Sequence, residues 1–260
     1  MKIDLSGKSA LVTGASRGIG RAVALALAEV GASVVVTARN VHDLETLVAE
    51  IRAKGGKALA APCDLTDPAL LAQLVSRTIA EYGHLDILVN NAGITKGVKF
   101  TAMTADEWAH IQRVNVDSAM RLMQLTVDGM VAQGWGRIVN IASIAAKAGL
   151  RYSAAYNASK HALLGLTRSV ALDYAAKGVT VNCVCPGWVQ TEMVEDTLQN
   201  IQQKTGRSRD EAVQSLVKDV PMARMIQPEE VAALVTFLCS RQAGGITGQG
   251  LNIDGGTVLN

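Results

Sequence analysis

The sequence predicts an α/β protein built on a doubly wound parallel sheet of about seven strands flanked by helices. Short aliphatic runs recur along the chain, helical stretches separate them, and a glycine-rich turn follows the first run. The runs are continuously apolar rather than alternating, which is typical of strands covered by helices on both faces. Strands that alternate with helices indicate parallel βαβ units.

Seven runs are predicted as strands and six stretches as helices. The strands are predicted at residues 10–13, 34–37, 58–61, 87–90, 138–141, 179–184 and 251–253. The helices are predicted at residues 19–30, 41–54, 68–82, 104–132, 152–177 and 228–240. Two helix starts carry local signals, because Asp67 precedes a proline at the first helical position, and Glu229 and Glu230 place acid in a first turn.

One long segment, residues 188–226, interrupts this alternation. It mixes apolar and charged residues and predicts one or two short helices. An insertion after the carboxyl end of a strand is a common place for a loop that covers a substrate. The sequence contains no repeat, low-complexity tract or linker. Residues 1–260 are therefore predicted as a single dinucleotide-binding and catalytic domain, with a substrate lid near residues 188–226.

Composition and charge exclude several functions. The 260 residues include 25 Lys plus Arg and 23 Asp plus Glu, a net charge of +2, which indicates no concentrated basic face for nucleic acid. No apolar run approaches the roughly 18 residues of a membrane span, and the amino terminus lacks the apolar stretch of a signal peptide. We expect a cytoplasmic protein with no membrane partner. The four cysteines and four histidines show no ligand spacing, so no metal site is predicted.

The glycine-rich turn joins the first predicted strand to the first predicted helix. Its sequence is Thr13-Gly14-Ala15-Ser16-Arg17-Gly18-Ile19-Gly20. Glycines permit a tight turn, and the following helix offers its N–H groups to a pyrophosphate. Glycine clusters also form ordinary loops, but the position between a strand and a helix favours a dinucleotide site in a Rossmann-like fold.

The end of the second predicted strand indicates which dinucleotide binds. Folds of this kind often place an acid there for the ribose hydroxyls, but here Ala38 is followed by Arg39, and Arg17 lies in the glycine-rich turn. Two guanidinium groups suit a 2′-phosphate. Both could instead be ordinary surface arginines. The pattern favours NADP, in its reduced form NADPH, over NAD.

A serine, a tyrosine and a lysine form a candidate acid–base group. Tyr156 and Lys160 are four residues apart on a predicted helix and therefore share a face. A neighbouring lysine cation lowers a tyrosine pKa from its usual value of about 10, which suits proton transfer at neutral pH. Ser143, at the end of the fifth predicted strand, can hydrogen-bond the reacting oxygen. A Tyr-to-Lys spacing alone is common. The order of glycine-rich turn, serine, tyrosine and lysine is what indicates an acid–base group.

With these motifs in this order, the chain resembles the short-chain dehydrogenase/reductase family from end to end. Further matching motifs are Asp64, Asn90-Asn91-Ala92-Gly93, Asn115, Pro186-Gly187 with Thr191, and Asp254-Gly255-Gly256. The resemblance implies that Tyr156 is the proton donor in reduction and that Ser143 polarises the substrate carbonyl. It implies that Lys160 lowers the pKa of Tyr156 and holds the nicotinamide ribose, and that Asn115 anchors a water next to Lys160.

The resemblance also implies a cofactor site and a homotetramer formed through helices 104–132 and 152–177. The implied cofactor-binding residues are Gly14, Ser16, Arg17, Gly18, Ile19, Gly20, Arg39, Asp64, Leu65, Asn91, Gly93, Tyr156, Lys160, Pro186, Gly187, Val189 and Thr191. Among these, Asp64 would contact the adenine, and Thr191 would hold the carboxamide. Asp64 and Asn115 could instead have only local structural roles.

The substrate is less well defined by the sequence. The predicted substrate-lining residues are Ile94, Ile144, Tyr152, Trp188, Met193 and Leu198. This mostly apolar set favours a moderately apolar ketone over a polyol. The resemblance is nearest to ketoreductases, and the predicted function is NADPH-dependent reduction of a ketone to a secondary alcohol, with a 3-oxoacyl thioester as the leading case. The resemblance implies two basic positions for docking an acyl-carrier protein; Lys177 matches one of them, but Gly134 stands at the other, which leaves such docking open.

Two alternatives stay open at this stage. One is a dehydrogenase that oxidises a secondary alcohol or 3-hydroxy acid with NAD. The other is a non-catalytic dinucleotide sensor, although an intact Ser143, Tyr156 and Lys160 argues for catalysis.

Overall fold

The computed structural model describes residues 2–259, and its seven strands form one parallel sheet in the order β3-β2-β1-β4-β5-β6-β7. The strands are β1 (Ser9–Thr13), β2 (Ser33–Thr37), β3 (Lys57–Ala60), β4 (Ile87–Asn90), β5 (Gly136–Ile141), β6 (Val179–Pro186) and β7 (Gly250–Ile253). The strand order reverses between β1 and β4. The predicted doubly wound parallel sheet is therefore confirmed.

Nine α-helices lie within residues 2–259. They are α1 (Gly18–Glu29), α2 (Val41–Ala53), α3 (Pro68–Tyr82), α4 (Ala105–Gln112), α5 (Ser118–Ala132), α6 (Ala154–Tyr174), α7 (Glu192–Thr205), α8 (Arg209–Val217) and α9 (Pro228–Leu238). Helix α3 begins where its sequence signal predicts, because the Asp67 carboxylate accepts the backbone N–H of Ala69 at 2.8 Å.

The two faces of the sheet support separate apolar cores. Along β1, Val12 packs with Leu27 of α1 and Val231 of α9 on one face. Leu11 points to the other face and packs with Leu74 of α3 among side chains from α3, α5 and α6. Because both faces are buried, the strands need aliphatic residues at successive positions, which is why their runs are visible in the sequence.

Two predicted helices differ in detail from the structure. The predicted helix 104–132 is interrupted by one π-helical segment, Arg113–Asp117, which contains Asn115. The predicted start of the helix at residue 152 is wrong, because α6 begins at Ala154 and Tyr152 has a left-handed backbone with φ of 61°. The Tyr152 carbonyl accepts the Val98 N–H at 2.8 Å, so a tertiary contact holds this residue outside the helix.

The two ends of the segment 188–226 lie next to each other, because Val189 and Ile226 form a β-bridge. Between them lie α7 and α8, which pack together through the buried Val194, Leu198 and Ala212. An ion pair between Glu195 and Arg209 also links these helices. Within residues 2–259, no helix has the length and apolarity needed to cross a membrane.

Candidate active site

A cleft of about 450 Å³ opens at the carboxyl ends of the strands, where the order reverses between β1 and β4. It runs from Arg39 after β2, past the glycine-rich turn, to Tyr156 and Lys160 on α6. In parallel α/β sheets this switch point is the usual ligand position. The cleft therefore joins the predicted cofactor residues to the predicted acid–base group.

The glycine-rich turn has no room for a Cβ atom at Gly14 or Gly20. Gly14 has φ of 62°, and a Cβ placed there would lie 2.9 Å from the Ala92 Cα. A Cβ on Gly20 would lie 2.4 Å from the Gly14 carbonyl oxygen. Arg17 at the start of α1 makes no side-chain cap, and the first turn of α1 holds no acid. The backbone N–H groups in the first turn of α1 are thus suited to an anion such as a dinucleotide pyrophosphate.

Asn91 and Thr13 fasten this turn to the end of β4. The Asn91 Nδ2 donates to the Thr13 carbonyl at 2.8 Å and to the Gly14 carbonyl at 3.1 Å. The Thr13 Oγ1 accepts the backbone N–H groups of Asn91 and Ala92, both at 3.0 Å. Asn91 therefore lies at the predicted cofactor site, and its amide nitrogen shapes the turn.

The far end of the cleft carries two exposed cations, Arg17 and Arg39, and two carboxylates, Asp43 and Asp64. Ser16, Arg17, Ile19, Arg39 and Leu65 line this end together with Asp64. Neither arginine forms an ion pair with a carboxylate of the part of the chain that the structure describes. Hydrogen bonds from the Thr66 backbone and hydroxyl, at 2.9 and 2.8 Å, hold the pKa of Asp64 below its usual value.

These features fit NADP. Gly14 and Gly20 let the turn pack tightly against Ala92, Asn91 and its own backbone, and residue 38, the usual position of a ribose-binding acid, is Ala38. Arg17 and Arg39 both border the cleft. Guanidinium groups bind phosphate through paired hydrogen bonds.

Lys160 lies at the inner end of the cleft and is 3% exposed. Its Nζ donates to the Ile141 carbonyl at 2.8 Å and lies 5.6 Å from the centre of the Tyr156 ring. Burial lowers the pKa of the Lys160 ammonium to about 8. A Cβ on Gly93 would lie 3.3 Å from this Nζ, so a glycine lets the loop after β4 pass close to the lysine.

Tyr156 and Ser143 meet at the same end of the cleft. Burial raises the pKa of the Tyr156 phenol, and a hydrogen bond with Ser143 opposes that rise. The sequence predicts that Lys160 lowers this pKa, whereas in the structure the lowering comes from the hydrogen bond with Ser143. Ser143 Oγ also accepts the Ala145 N–H at 3.1 Å, which fixes the side chain at the start of a short 3-10 turn.

Asn115 connects the loop after β4 to α6. Its Oδ1 accepts the Ile94 N–H at 2.8 Å, and its Nδ2 donates to the Ile94 carbonyl and to the Ser159 hydroxyl, both at 2.9 Å. The side chain is 1% exposed. Because Ser159 precedes Lys160, the hydrogen bonds of Asn115 position the acid–base helix, a role that sequence reasoning did not assign.

The third wall comes from the segment after β6. Thr191 lies against the glycine-rich turn, since a Cβ on Gly18 would be 3.1 Å from the Thr191 Cγ2. Behind it, Gly187 passes close to the backbone of Asp254, and Pro186 ends β6. Val189 is buried and donates no surface to the cleft, although its carbonyl accepts the Thr191 hydroxyl at 3.3 Å.

The predicted substrate-lining residues separate into two groups. Ile94 and Met193 border the cleft. Ile144 is 5% exposed, and Leu198 is fully buried inside the α7–α8 cluster, against which Trp188 packs. Tyr152 lies in a different groove. The expectation that these four line the cleft is not met, because periodicity does not show whether an apolar side chain in an irregular segment faces a cavity or a neighbouring helix.

Other residues at the cleft were not predicted. They are Ala38, Asn40, Asp43, Cys63, Thr66, Ala92, His110, Val114, Ile141, Ala142 and Glu192. Asn40 could have been found from the sequence, because it begins α2, where its Oδ1 accepts the Asp43 N–H.

A family model described as enoyl-(acyl carrier protein) reductase matches residues 14–258. The 3-oxoacyl-[acyl-carrier-protein] reductase of Synechocystis is 38% identical over 257 residues, which are 98% of this chain and 98% of the relative. These similarities extend over nearly the whole chain.

Two solved structures share the fold. A variant of actinorhodin polyketide ketoreductase, solved with NADPH, has a TM-score of 0.92 and 38% identity, and the match covers 96% of this chain and 97% of that chain. The L-sorbose reductase of Gluconobacter frateurii, solved with NADPH and L-sorbose, has a TM-score of 0.96 and 32% identity with full coverage of both chains.

Proposed function

The chain belongs to the short-chain dehydrogenase/reductase family, and we propose that it uses NADPH to reduce a ketone to a secondary alcohol, with a 3-oxoacyl thioester as the leading substrate. The observation that carries this proposal is the meeting of Ser143, Tyr156 and Lys160 at the inner end of the cleft. A dinucleotide sensor would not need this acid–base group.

Each of these side chains has a role in ketone reduction. The Ser143 hydroxyl donates to the substrate carbonyl oxygen and draws electron density from the carbon. Tyr156 is kept neutral by burial, so its phenol can donate a proton to the oxygen as the carbonyl is reduced. When bound along the cleft, NADPH would supply the hydride. Lys160, with a pKa of about 8, can return a proton to the phenolate near neutral pH.

Arg17 and Arg39 support the choice of NADPH. Both are exposed at the adenosine end of the cleft, and Ala38 offers no carboxylate to the ribose. The two structural relatives were both solved with NADPH. An NAD-dependent oxidation of an alcohol is less well supported, because NAD recognition in such folds usually relies on an acid at this strand end.

The thioester substrate is supported by the apolar side chains Ile94 and Met193 at the cleft and by the name of the Synechocystis relative. We propose that residues 188–226 act as a lid within a single domain, because Thr191 and Met193 of this segment border the cleft. The L-sorbose reductase shows that the fold also accommodates a sugar reductase.

We also propose that the protein assembles as a homotetramer through the outer faces of α5 and α6. Helix α6 exposes Ala162, Gly165 and Ser169, which are small enough for close helix packing, and Leu172, which is 85% exposed. An exposed leucine of this degree beside small residues favours a protein interface. Light scattering of the purified protein tests the assembly.

The function is tested by measuring NADPH oxidation with acetoacetyl-coenzyme A and with free ketones, beside the same reactions with NADH. We expect turnover of the thioester with NADPH. Tyr156→Phe should lower kcat by about two to four decades, the usual effect of losing a general acid. Tyr174→Phe on the same helix is the control and should stay active. Thioester turnover that survives Tyr156→Phe would refute the assigned chemistry, and activity confined to free ketones would refute the substrate.

A further inference from the structure

A second groove, of about 340 Å³, lies beside the amino end of α6 and outside the cofactor cleft. One wall is formed by Val98, Lys99 and Phe100, and the other by Leu150, Arg151 and Tyr152. The Val98 N–H donates to the Tyr152 carbonyl at 2.8 Å and joins the two walls at one point. The groove is thus a shared feature of the loops that follow β4 and β5.

The charged side chains of this groove are cationic. Lys99 and Arg151 are exposed, and neither forms an ion pair with a carboxylate within residues 2–259. None of the described groove-lining residues is acidic. By contrast, Lys96 nearby is paired with Glu107. Two unpaired cations across a small groove favour an anionic ligand, and a guanidinium suits phosphate in particular.

The same groove exposes two aromatic rings. Phe100 is 74% exposed and Tyr152 is 61% exposed, which is unusual for side chains of this size. Tyr152 stays exposed in a left-handed backbone that a bulky residue rarely adopts. The rings offer apolar surface next to the cations, so the ligand that fits has both an apolar or amide-containing chain and a phosphate.

The groove is within reach of the reacting atoms. Arg151 lies five residues before Tyr156, and a fully extended chain of that length spans at most about 17 Å. The groove therefore lies no farther than this limit from Tyr156, within the span of a flexible arm that carries a reactive acyl group at one end and a phosphate at the other.

We propose that this groove binds the phosphopantetheine arm of a 3-oxoacyl thioester, with Lys99 and Arg151 at the phosphate and Phe100 and Tyr152 against the arm. The proposal rests on the proposed function and adds a site for the part of the substrate that lies beyond the reacting carbonyl. Coenzyme A and an acyl-carrier protein both carry this arm, and the groove recognises the chemistry that they share.

The test compares two substrates that differ by one phosphate, acetoacetyl-pantetheine and acetoacetyl-4′-phosphopantetheine. The variant is Lys99→Ala combined with Arg151→Ala. We expect kcat/KM for the phosphorylated substrate to fall about 2- to 30-fold, since exposed charge pairs contribute modestly, and kcat/KM for acetoacetyl-pantetheine to stay unchanged. Lys57→Ala combined with Arg77→Ala, which removes two exposed cations elsewhere on the protein, is the matched control and should leave both values unchanged.

The source of the arm is identified with the same variant. Acetoacetyl-coenzyme A and an acetoacetyl-loaded acyl-carrier protein should both lose activity, and the one with the higher kcat/KM in the unaltered protein is the source. Equal effects of the variant on the phosphorylated and unphosphorylated substrates would overturn the groove proposal while leaving the proposed function intact. Turnover of free ketones without turnover of any thioester would overturn the thioester substrate and the groove together.

Discussion

Replacing Lys160 by Met should abolish catalysis and yet stabilise the folded protein at neutral pH. Burial lowers the pKa of this ammonium from 10.5 to about 8, so keeping it protonated destabilises the folded state. At about 1.4 kcal/mol per pKa unit this penalty is on the order of 3 kcal/mol. Methionine also removes the hydrogen bond to Ile141, worth about 1 kcal/mol. The expected net gain is on the order of 2 kcal/mol in the free energy of unfolding.

The pH dependence of this gain follows from the direction of the shift. Between about pH 8 and 10.5 the unfolded chain holds a proton on Lys160 that the folded chain has released, so the unaltered protein gains stability as pH rises. The advantage of Lys160→Met is therefore full below about pH 8 and is lost by about pH 10.5.

Urea unfolding at about pH 7 and about pH 10 measures this difference. Lys57→Met, at the exposed start of β3, is the control and should show no such pH dependence. The reasoning is refuted if Lys160→Met is less stable than the unaltered protein at neutral pH, or if the difference between the two is the same at both pH values.

Three further substitutions test separate parts of the site. Asn115→Ala removes three hydrogen bonds of a buried side chain and leaves the Ile94 N–H and carbonyl without these partners. Urea unfolding should therefore show a loss of about 2–4 kcal/mol in the free energy of unfolding, and a loss below about 1 kcal/mol would contradict this role. Gly20→Ala places a Cβ 2.4 Å from a backbone carbonyl oxygen, so the Kd for NADPH in a fluorescence titration should rise about tenfold or more, whereas Gly129→Ala, which meets no atom within 4 Å, should bind normally. Arg39→Ala should raise the KM for NADPH about tenfold while changing that for NADH little; equal changes for the two cofactors would contradict recognition of a 2′-phosphate.

Much of the fold could be predicted because its determinants are local. A strand buried on both faces needs continuous aliphatic residues. The start of α3 is predicted by the capping residue Asp67 followed by Pro68. The start of α6 could not be predicted in this way. Tyr152 leaves the helix because its carbonyl bonds the distant Val98 N–H, and no pattern around residue 152 encodes that contact.

The identity of the acid–base residues could likewise be predicted from the sequence, but their environment could not. The order of the glycine-rich turn, Ser143, Tyr156 and Lys160 along the chain was enough to select the acid–base residues. The structure brings the turn, Tyr156 and Lys160 to one cleft, with Ser143 hydrogen-bonded to Tyr156. Their electrostatics depend on burial, which the sequence does not give. The prediction that Ile144 and Leu198 line the cleft was wrong for a related reason. The sequence of a short apolar segment does not indicate which of its side chains a neighbouring element will bury.

We propose that hydride passes from NADPH to the carbonyl carbon of a 3-oxoacyl thioester while Tyr156 donates a proton to the carbonyl oxygen. NADPH carrying deuterium at both positions of nicotinamide C4 tests this most directly, with mass spectrometry of the product formed from acetoacetyl-coenzyme A. We expect a 3-hydroxyacyl thioester with one deuterium on carbon 3, and no product from Tyr156→Phe on the same timescale. Oxidation of NADPH without deuterium in the product would contradict it.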